Sequence, residues 1–236
     1  MKQLTVALLL GFISLTMNAQ KVIEKSISYN NQIINLDVKF ASNIEVKTWD
    51  KSTVYFKAVI HAEDEKFIDL YELDIDEASS WITITSDAAP VFEATRKDYV
   101  KNNPGKKNYY FNTGDKFKFN YVLYVPKNTK FKVTSINGDL TSDIIEGEFT
   151  ANLINGDINI ASYSGTLDLT TINGVIDLKM VNANLVADTI HGDIYADEKL
   201  SFKSSNRHVG QKISGLIGNG KNKLRLNTIN GNMYLR

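Results

Sequence analysis

The sequence predicts an all-β chain in which irregular strands lead into a single-stranded parallel β-solenoid. Three observations carry this reading. Glycine returns every nine residues between Ile136 and Glu198. Within each nine, apolar residues fall two apart and then slip by one. Nowhere do apolar residues hold helical spacing for three turns.

The chain opens with Met1-Lys2, a short basic start, followed by an apolar run from Val6 to Leu15 that is too short to span a bilayer. Met17-Asn18-Ala19 then offers a small residue before a cut that would leave Gln20 first. This is the pattern of a secretory signal peptide over 1–19. No cysteine follows, which removes lipid anchoring, disulfides, thiolate catalysis and cysteine-ligated metal together. No later apolar segment is long enough to span, so the expected location is the periplasm, the outer surface or the medium. Basic and acidic residues balance at 27 each, leaving no bulk field for nucleic acid or an anionic membrane.

Residues 20–130 read as short irregular strands. Gln32 to Phe40 alternates Ile34, Leu36, Val38 and Phe40 against Ile33, Asn35, Asp37 and Lys39. Ile44 to Lys47 and Thr53 to Ile60 follow, separated by the turn-like Trp49-Asp50-Lys51. Leu70 to Asp76, Trp81 to Thr85 and Phe117 to Val125 complete this region. Asp87 to Lys116 breaks the rhythm and reads as a long loop. It holds Arg96, Lys97, Tyr99, Lys106, Lys107, Tyr109 and Tyr110, a set able to stack on a sugar or grip an acidic polymer. The plainer alternative is a solvated loop or a hairpin tip.

Residues 131–236 carry the repeat. The slip in each unit suggests a chain that turns a corner and continues, whereas a hairpin meander would alternate without one. Two units then make a coil of eighteen residues, and coils stack because none can bury its face alone. Asn137-Gly138, Asn155-Gly156, Asn173-Gly174 and His191-Gly192 recur eighteen apart, with Asn230-Gly231 resuming the motif. Gly is expected to supply positive φ at this corner, and the asparagines to form a side-chain amide ladder. Ile136, Ile154, Ile172 and Ile190 are expected to form one inner column. The glycine-dense stretch from Gly210 to Gly220 breaks the count, after which 222–236 reads as a final coil.

These Ile-Asn-Gly-Asp-Ile-like units, with the segments Val-Gly-Gln-Lys-Ile-Ser-Gly-Leu-Ile-Gly-Asn-Gly and Leu-Arg-Leu-Asn-Thr-Ile-Asn-Gly-Asn-Met-Tyr-Leu-Arg, resemble the secreted bacterial "putative adhesin" family of β-helical domains. The units are also similar to the autotransporter-adhesin head domains named after their Gly-Ile-Asn motif. The resemblance implies a right-handed β-helix, exported in bacteria of the Bacteroidetes type, with some relatives near envelope-stress or anti-sigma systems. It assigns no catalytic residue and no cofactor. Val175 stands where the family usually has Asp, and His191 where it has Asn, so these positions read as structural.

Calcium is the sharpest chemical alternative, because Asp139, Asp157 and Asp193 each follow a corner glycine and would stack. One carboxylate per coil is thin for an ion that takes six to eight oxygens, and Val175 interrupts the column. Polysaccharide cleavage would need paired carboxylates at a set separation. Glu72, Asp74 and Asp76 share a strand face but read as its wet side, and His61, His191 and His208 are dispersed. The chain therefore reads as non-catalytic: an adhesin-like module with a protein or glycan partner at the cell surface. The alternative is a carbohydrate-binding or polysaccharide-processing β-helix using 96–111. Open strand edges at the solenoid ends leave room for self-association. When the chain is exported from a bacterial host, intact mass should give a product beginning at Gln20; a secreted chain retaining 1–19 would sink the signal-peptide reading.

Overall fold

The computed structural model of the chain describes residues 19–105, 116–197, 202–205 and 209–236. Apart from one helix and one 3-10 turn, the described residues are all-β, in one continuous open sheet that mixes parallel and antiparallel pairs. The strands before the repeat are β1 (Ala19–Ser28), β2 (Ile33–Val38), β3 (Phe40–Trp49), β4 (Thr53–Ala62), β5 (Glu72–Glu77), β6 (Trp81–Asp87) and β7 (Phe117–Pro126). Period-two alternation places Ile34, Leu36 and Val38 of β2, and Val54, Phe56, Ala58 and Ile60 of β4, in the core.

Between β6 and β7 the expected loop contains a helix, α1 (Ala89–Asn102). Pro90 sits in its first turn, where a missing N–H costs nothing, and the Asp87 carboxylate accepts from the Ala89 N–H at 2.8 Å. Only Val91 of α1 is buried, so the helix has no apolar stripe for periodicity to reveal. It is held largely by half-buried Phe92, edge-on to Phe40 at 4.9 Å and packed against Phe117 and Phe119.

The repeat region forms β8 (Thr129–Ser142), β9 (Ile145–Asn155), β10 (Ile158–Ile160), β11 (Tyr163–Asn173), β12 (Ile176–Leu178), β13 (Ala183–His191) and β14 (Ile194–Ala196). Then follow β15 (Lys203–Ser205), β16 (Gln211–Ile217), β17 (Asn222–Asn230) and β18 (Met233–Leu235). Long and short strands alternate, each coil passing from long to short through its Asn-Gly corner or, between β13 and β14, through His191-Gly192. The parallel register between successive coils is eighteen residues: Ile145 lies opposite Tyr163, and Ile158 lies between Leu140 and Ile176.

Each corner divides the sheet into two layers over one core. The first layer runs β5-β6-β2-β8-β9-β11-β17-β13-β16-β15. The second runs β1-β4-β7-β3-β8-β10-β12-β18-β14, with β8 contributing a half to each. Strands β2 and β3 thus cover the outer edge of the first coil. A buried tie joins the layers: the Tyr121 hydroxyl of β7 lies 3.1 Å from Ser86 Oγ of β6 and donates to the Phe40 carbonyl at 3.2 Å. Burial pushes this phenol far above its usual range.

The corner corrects two expectations. Ile136, Ile154 and Ile190 are 38%, 39% and 44% exposed, so they point outward, and the inner column is the residue before each. Ser135, Leu153, Thr171, Thr228 and Thr189 are buried there. The Thr171 hydroxyl donates to the Gly156 carbonyl at 2.8 Å, Thr228 to Gly174 at 3.2 Å and Thr189 to Gly231 at 3.1 Å. The slip therefore falls across Ile-Asn-Gly-Asp itself, and the hydroxyls satisfy carbonyls that the bend turns inward.

The glycines also serve differently from expectation. Gly138 has positive φ, but Gly156 and Gly174 do not. What they need is room: a Cβ on Gly156 would stand 2.1 Å from the Gly138 carbonyl oxygen, and one on Gly174 would stand 2.0 Å from that of Gly156. Beside them the asparagines form the expected ladder, with Asn155 donating to Asn137 at 3.0 Å and Asn173 to Asn155 at 2.8 Å.

The stack is neither purely parallel nor in chain order. After β14 the chain leaves the stack, and β16 returns antiparallel to β13 on its outer side. Strand β17 then enters between β11 and β13, parallel to both. Asn230 accordingly donates to Asn173 at 2.8 Å, while His191 pairs with Asn230 one rung further out. The segment 222–236 is a coil, as expected, but an interior one, paired on both sides.

Substituting Gly156 by Ala should cost about 3 kcal/mol or more, because backbone on both rungs must move. Asn155→Ala should cost only about 1–2 kcal/mol, the net worth of two solvent-accessible amide bonds. Urea midpoints should rank the two variants in that order; equal losses would mean the amide ladder, not the glycine contact, controls the stack.

Candidate functional site

The outer face of the second layer carries an aromatic group where β3, β4 and β7 meet. Thr53, Tyr55 and Lys57 of β4 alternate outward against Val54, Phe56 and Ala58, and Tyr124 of β7 lies opposite Tyr55. Trp49, at the end of β3, completes the group. Its ring lies 4.8 Å from that of Tyr124 and 6.2 Å from that of Tyr55, and Tyr55 and Tyr124 are 5.8 Å apart. The Trp49 Nε1 donates to the Thr53 carbonyl at 2.8 Å, fixing the indole across the short turn. All three rings are half-buried, each body resting on the sheet with a flank open to solvent.

Cations and carboxylates surround these rings. Lys51 Nζ stands 4.6 Å from the centre of the Trp49 ring and Lys47 Nζ 5.8 Å from that of Tyr124. Lys47 pairs with Glu45 at 2.7 Å and Asp143 at 3.8 Å, Lys57 with Glu24 at 3.0 Å, and Lys127 with Asp50 and Glu146 at 3.1 Å each. Hydrogen bonds donated to Glu45, to Glu24 and to the Asp50–Glu146 pair raise the affinity of Lys47, Lys57 and Lys127 for their protons. The hydrogen bond from Lys57 lowers the Glu24 carboxyl in turn. Burial, followed by the Glu24 charge, pushes the Tyr55 phenol up. An apolar aromatic centre inside a rim of satisfied ion pairs has the anatomy of an interaction patch: the centre gains from desolvation while the rim stays wet.

One row of outward side chains continues from this patch across the layer: Glu24, Lys57, Val122, Glu45, Thr141, Asn159, Asp177, Tyr234 and Tyr195. At its far end the Tyr195 and Tyr234 rings stack at 5.2 Å. Arg236, paired with Asp177 at 2.7 Å, lies 5.5 Å over Tyr234. The two aromatic groups thus stand at opposite sides of one rigid sheet face, joined by short polar side chains.

The residues singled out from the sequence are distributed otherwise. Arg96, Lys97 and Tyr99 lie on α1, with Arg96 and Lys97 exposed and Lys97 paired to Glu93 at 2.7 Å. Tyr99 lines a groove of about 160 Å³ between α1 and the 3-10 turn at Glu65–Leu70, with Phe67, Asp98, Asn102 and Lys116. Lys106, Lys107, Tyr109 and Tyr110 lie outside the described residues. Glu72, Asp74 and Asp76 are exposed on β5, where Asp76 accepts from Trp81 Nε1 at 2.9 Å.

Asp139 and Asp157 do stack, with backbone using one oxygen of each, but the Val175 and Asn232 rungs separate Asp193 from them, and its oxygens accept from Tyr195 and Gln211. Asp139 accepts from the Asp157 N–H at 2.9 Å, and Asp157 from the Val175 N–H at 2.7 Å. One rung on, Asn232 performs the same task for the Asp193 N–H at 2.9 Å. Val175 needs only to donate at its rung, so losing the carboxylate there does not undo the bond below. Among the described residues no three His, Asp or Glu side chains are grouped as a metal site would need.

The aromatic patch was missed because Trp49-Asp50-Lys51 reads as a turn. The available signal was parity: Tyr55 and Tyr124 each occupy outward positions of otherwise well-alternating strands. Their adjacency depends on the pairing of β4 with β7, which periodicity does not disclose.

Comparison with known proteins agrees with the fold. Residues 125–236 match the family model described as Toastrack DUF4097. A "putative cell adhesion protein" from Clostridium sporogenes superposes with a TM-score of 0.55 at 10% identity, covering 92% of this chain and 98% of its own. A "putative adhesin" from Bacteroides fragilis gives a TM-score of 0.31 at 10% identity, covering 92% and 97%. A "putative lipid binding protein" from Parabacteroides distasonis gives 0.32 at 10% identity, covering 94% and 98%. No curated protein matches the chain in sequence. At such identities the Clostridium likeness speaks for the fold alone.

Replacing Asp157 by Ala should cost about 1 kcal/mol through the lost bond to the Val175 N–H. Millimolar calcium should leave the melting midpoint of both parent and variant unchanged; a calcium-dependent gain confined to the parent would revive the metal reading.

Proposed function

We propose that this chain is an exported, non-catalytic, adhesin-like module that binds a protein partner at the cell surface through the Trp49–Tyr55–Tyr124 patch. The observation that carries this reading is the patch itself: three half-buried aromatic rings inside a rim of paired charges on a rigid sheet face. Export rests on the leader pattern over 1–19. The coils over 131–236 serve, in this reading, as a parallel right-handed β-solenoid scaffold that holds the face flat. The likeness of the Ile-Asn-Gly units to autotransporter-adhesin heads points the same way.

A glycan partner is the second reading, favoured by Tyr195 and Tyr234, whose rings lie 11° from parallel. The Trp49 group suits a sugar less well. Its rings are tilted 39° to 67° from one another, so they form no common platform, and Lys51 stands over the indole. A contoured protein surface can fill the angles between tilted rings, whereas a sugar stacks on one flat face.

Full-length chain and the variants Trp49→Ala, Tyr124→Ala and Tyr195→Ala would be tested for binding to intact cells, protease-treated cells and an immobilised glycan panel. The protein reading expects protease to abolish binding, with Trp49→Ala and Tyr124→Ala each weakening it tenfold or more and Tyr195→Ala leaving it unchanged. Protease-resistant binding lost in Tyr195→Ala would move the site to the tyrosine stack and the partner to a glycan.

A further inference from the structure

We propose that the segment 222–236 can be exchanged between copies of this chain. The slot between β11 and β13 would then accept the segment from a second copy and join chains through the interior of the sheet. The observation is the order of strands: the segment latest in the sequence does not extend the stack but fills a gap inside it.

The fit is extensive on both sides. Strand β17 is in register with β11 from Lys223 to Asn230 and with β13 from Asn222 to Asn230, interrupted only at Ile229, while β18 pairs with both β12 and β14. Leu224, Leu226, Met233 and Leu235 are buried in the core. Asn222 locks the entry, accepting from the Gly165 N–H at 2.8 Å and donating to the Asn182 carbonyl at 2.8 Å. None of these contacts depends on which chain supplies the segment. Without it, β11 and β13 would each present an unpaired edge to a vacated core, which strongly favours refilling by the same sequence.

The connection to the segment is short and tight. Strand β16 lies on one side of β13 and β17 on the other, so residues 218–221 must cross over the start of β13. That crossing needs positive φ at Gly218 (+57°) and Gly220 (+65°). Gly218 passes so close to Asn182 that a Cβ would stand 1.9 Å from its side-chain oxygen. In an exchanged pair the crossing opens out and both restrictions lapse. The balance between closed and exchanged forms is then set by this hinge and by chain concentration, since the strand contacts are the same in both. The formal net charge of +0 adds no general repulsion between copies.

The chain contains no cysteine, so introduced ones report cleanly. Val186 of β13 and Arg225 of β17 are register partners and both point outward. Adjacent strands bring such a pair within disulfide reach. Full-length Val186→Cys and Arg225→Cys chains would be mixed, equilibrated at several concentrations and oxidised. The double variant would serve as the control that the native register forms. Exchange predicts a mixed disulfide dimer that grows with concentration and exceeds the dimer from either chain alone. Adding Gly218→Ala to both partners should increase it roughly tenfold, because only the closed crossing needs that left-handed conformation. If the double variant closes within one chain while mixtures of the parent-hinge chains give no more dimer than either chain alone, the proposal is wrong.

Discussion

A carbonyl oxygen stands about 2 Å from where a side chain would begin at each stacked corner, and this contact governs the repeat half of the molecule. Gly156 rests on Gly138, Gly174 on Gly156, Gly231 on Gly174 and Gly192 on Gly231. Such contacts leave no space for any Cβ, so each rung must carry glycine at one position. The long and short strands can then follow different layers of the sheet. The nine-residue glycine rhythm mixes this steric demand with a conformational one, since Gly147 and Gly165, within the long strands, have φ of +140° and +131°.

Once the corner is fixed, its polar groups need partners, and the neighbouring residues supply them. A hydroxyl inside the bend meets the glycine carbonyl, an asparagine outside it meets the asparagine of the next rung, and an aspartate one step further meets the next backbone N–H. These ladders reduce the stack's freedom to slip, because a shift of one residue would break all three at once. They also explain why residues that look chemically suggestive, Asp139 and Asp157 above all, each have an oxygen engaged by the scaffold.

The sequence disclosed what is periodic and concealed what depends on pairing. The eighteen-residue register, the asparagine ladder and most early strands were legible because each is written in local spacing. The direction of Ile136, Ile154 and Ile190 was not, because the slip could be placed on either side of isoleucine, and only the hydroxyl bonds of Thr171, Thr189 and Thr228 decide between them. Helix α1 escaped because a helix anchored mainly by Val91 and Phe92 leaves almost no apolar period. The insertion of β17 and the meeting of Trp49, Tyr55 and Tyr124 are facts about which strands are neighbours, and two strands of similar alternation carry no mark of their partner.

The same distinction bears on where function lies in a chain of this kind. A repeat exposes the same positions on every rung, so its outer columns resemble one another: isoleucine beside asparagine, threonine beside asparagine. Recognition of one partner needs an irregularity, and the irregular groups sit away from the regular coils. Trp49, Tyr55 and Tyr124 come from the strands before the repeat, and Tyr195 and Tyr234 from the two rungs whose order in the stack is reversed relative to the chain. The regular coils between them contribute short side chains, Thr141, Asn159 and Asp177, that add little contour. Under the proposed function, the repeat is the part that sets the distance between the aromatic groups, and the departures from it are the part that discriminates between partners.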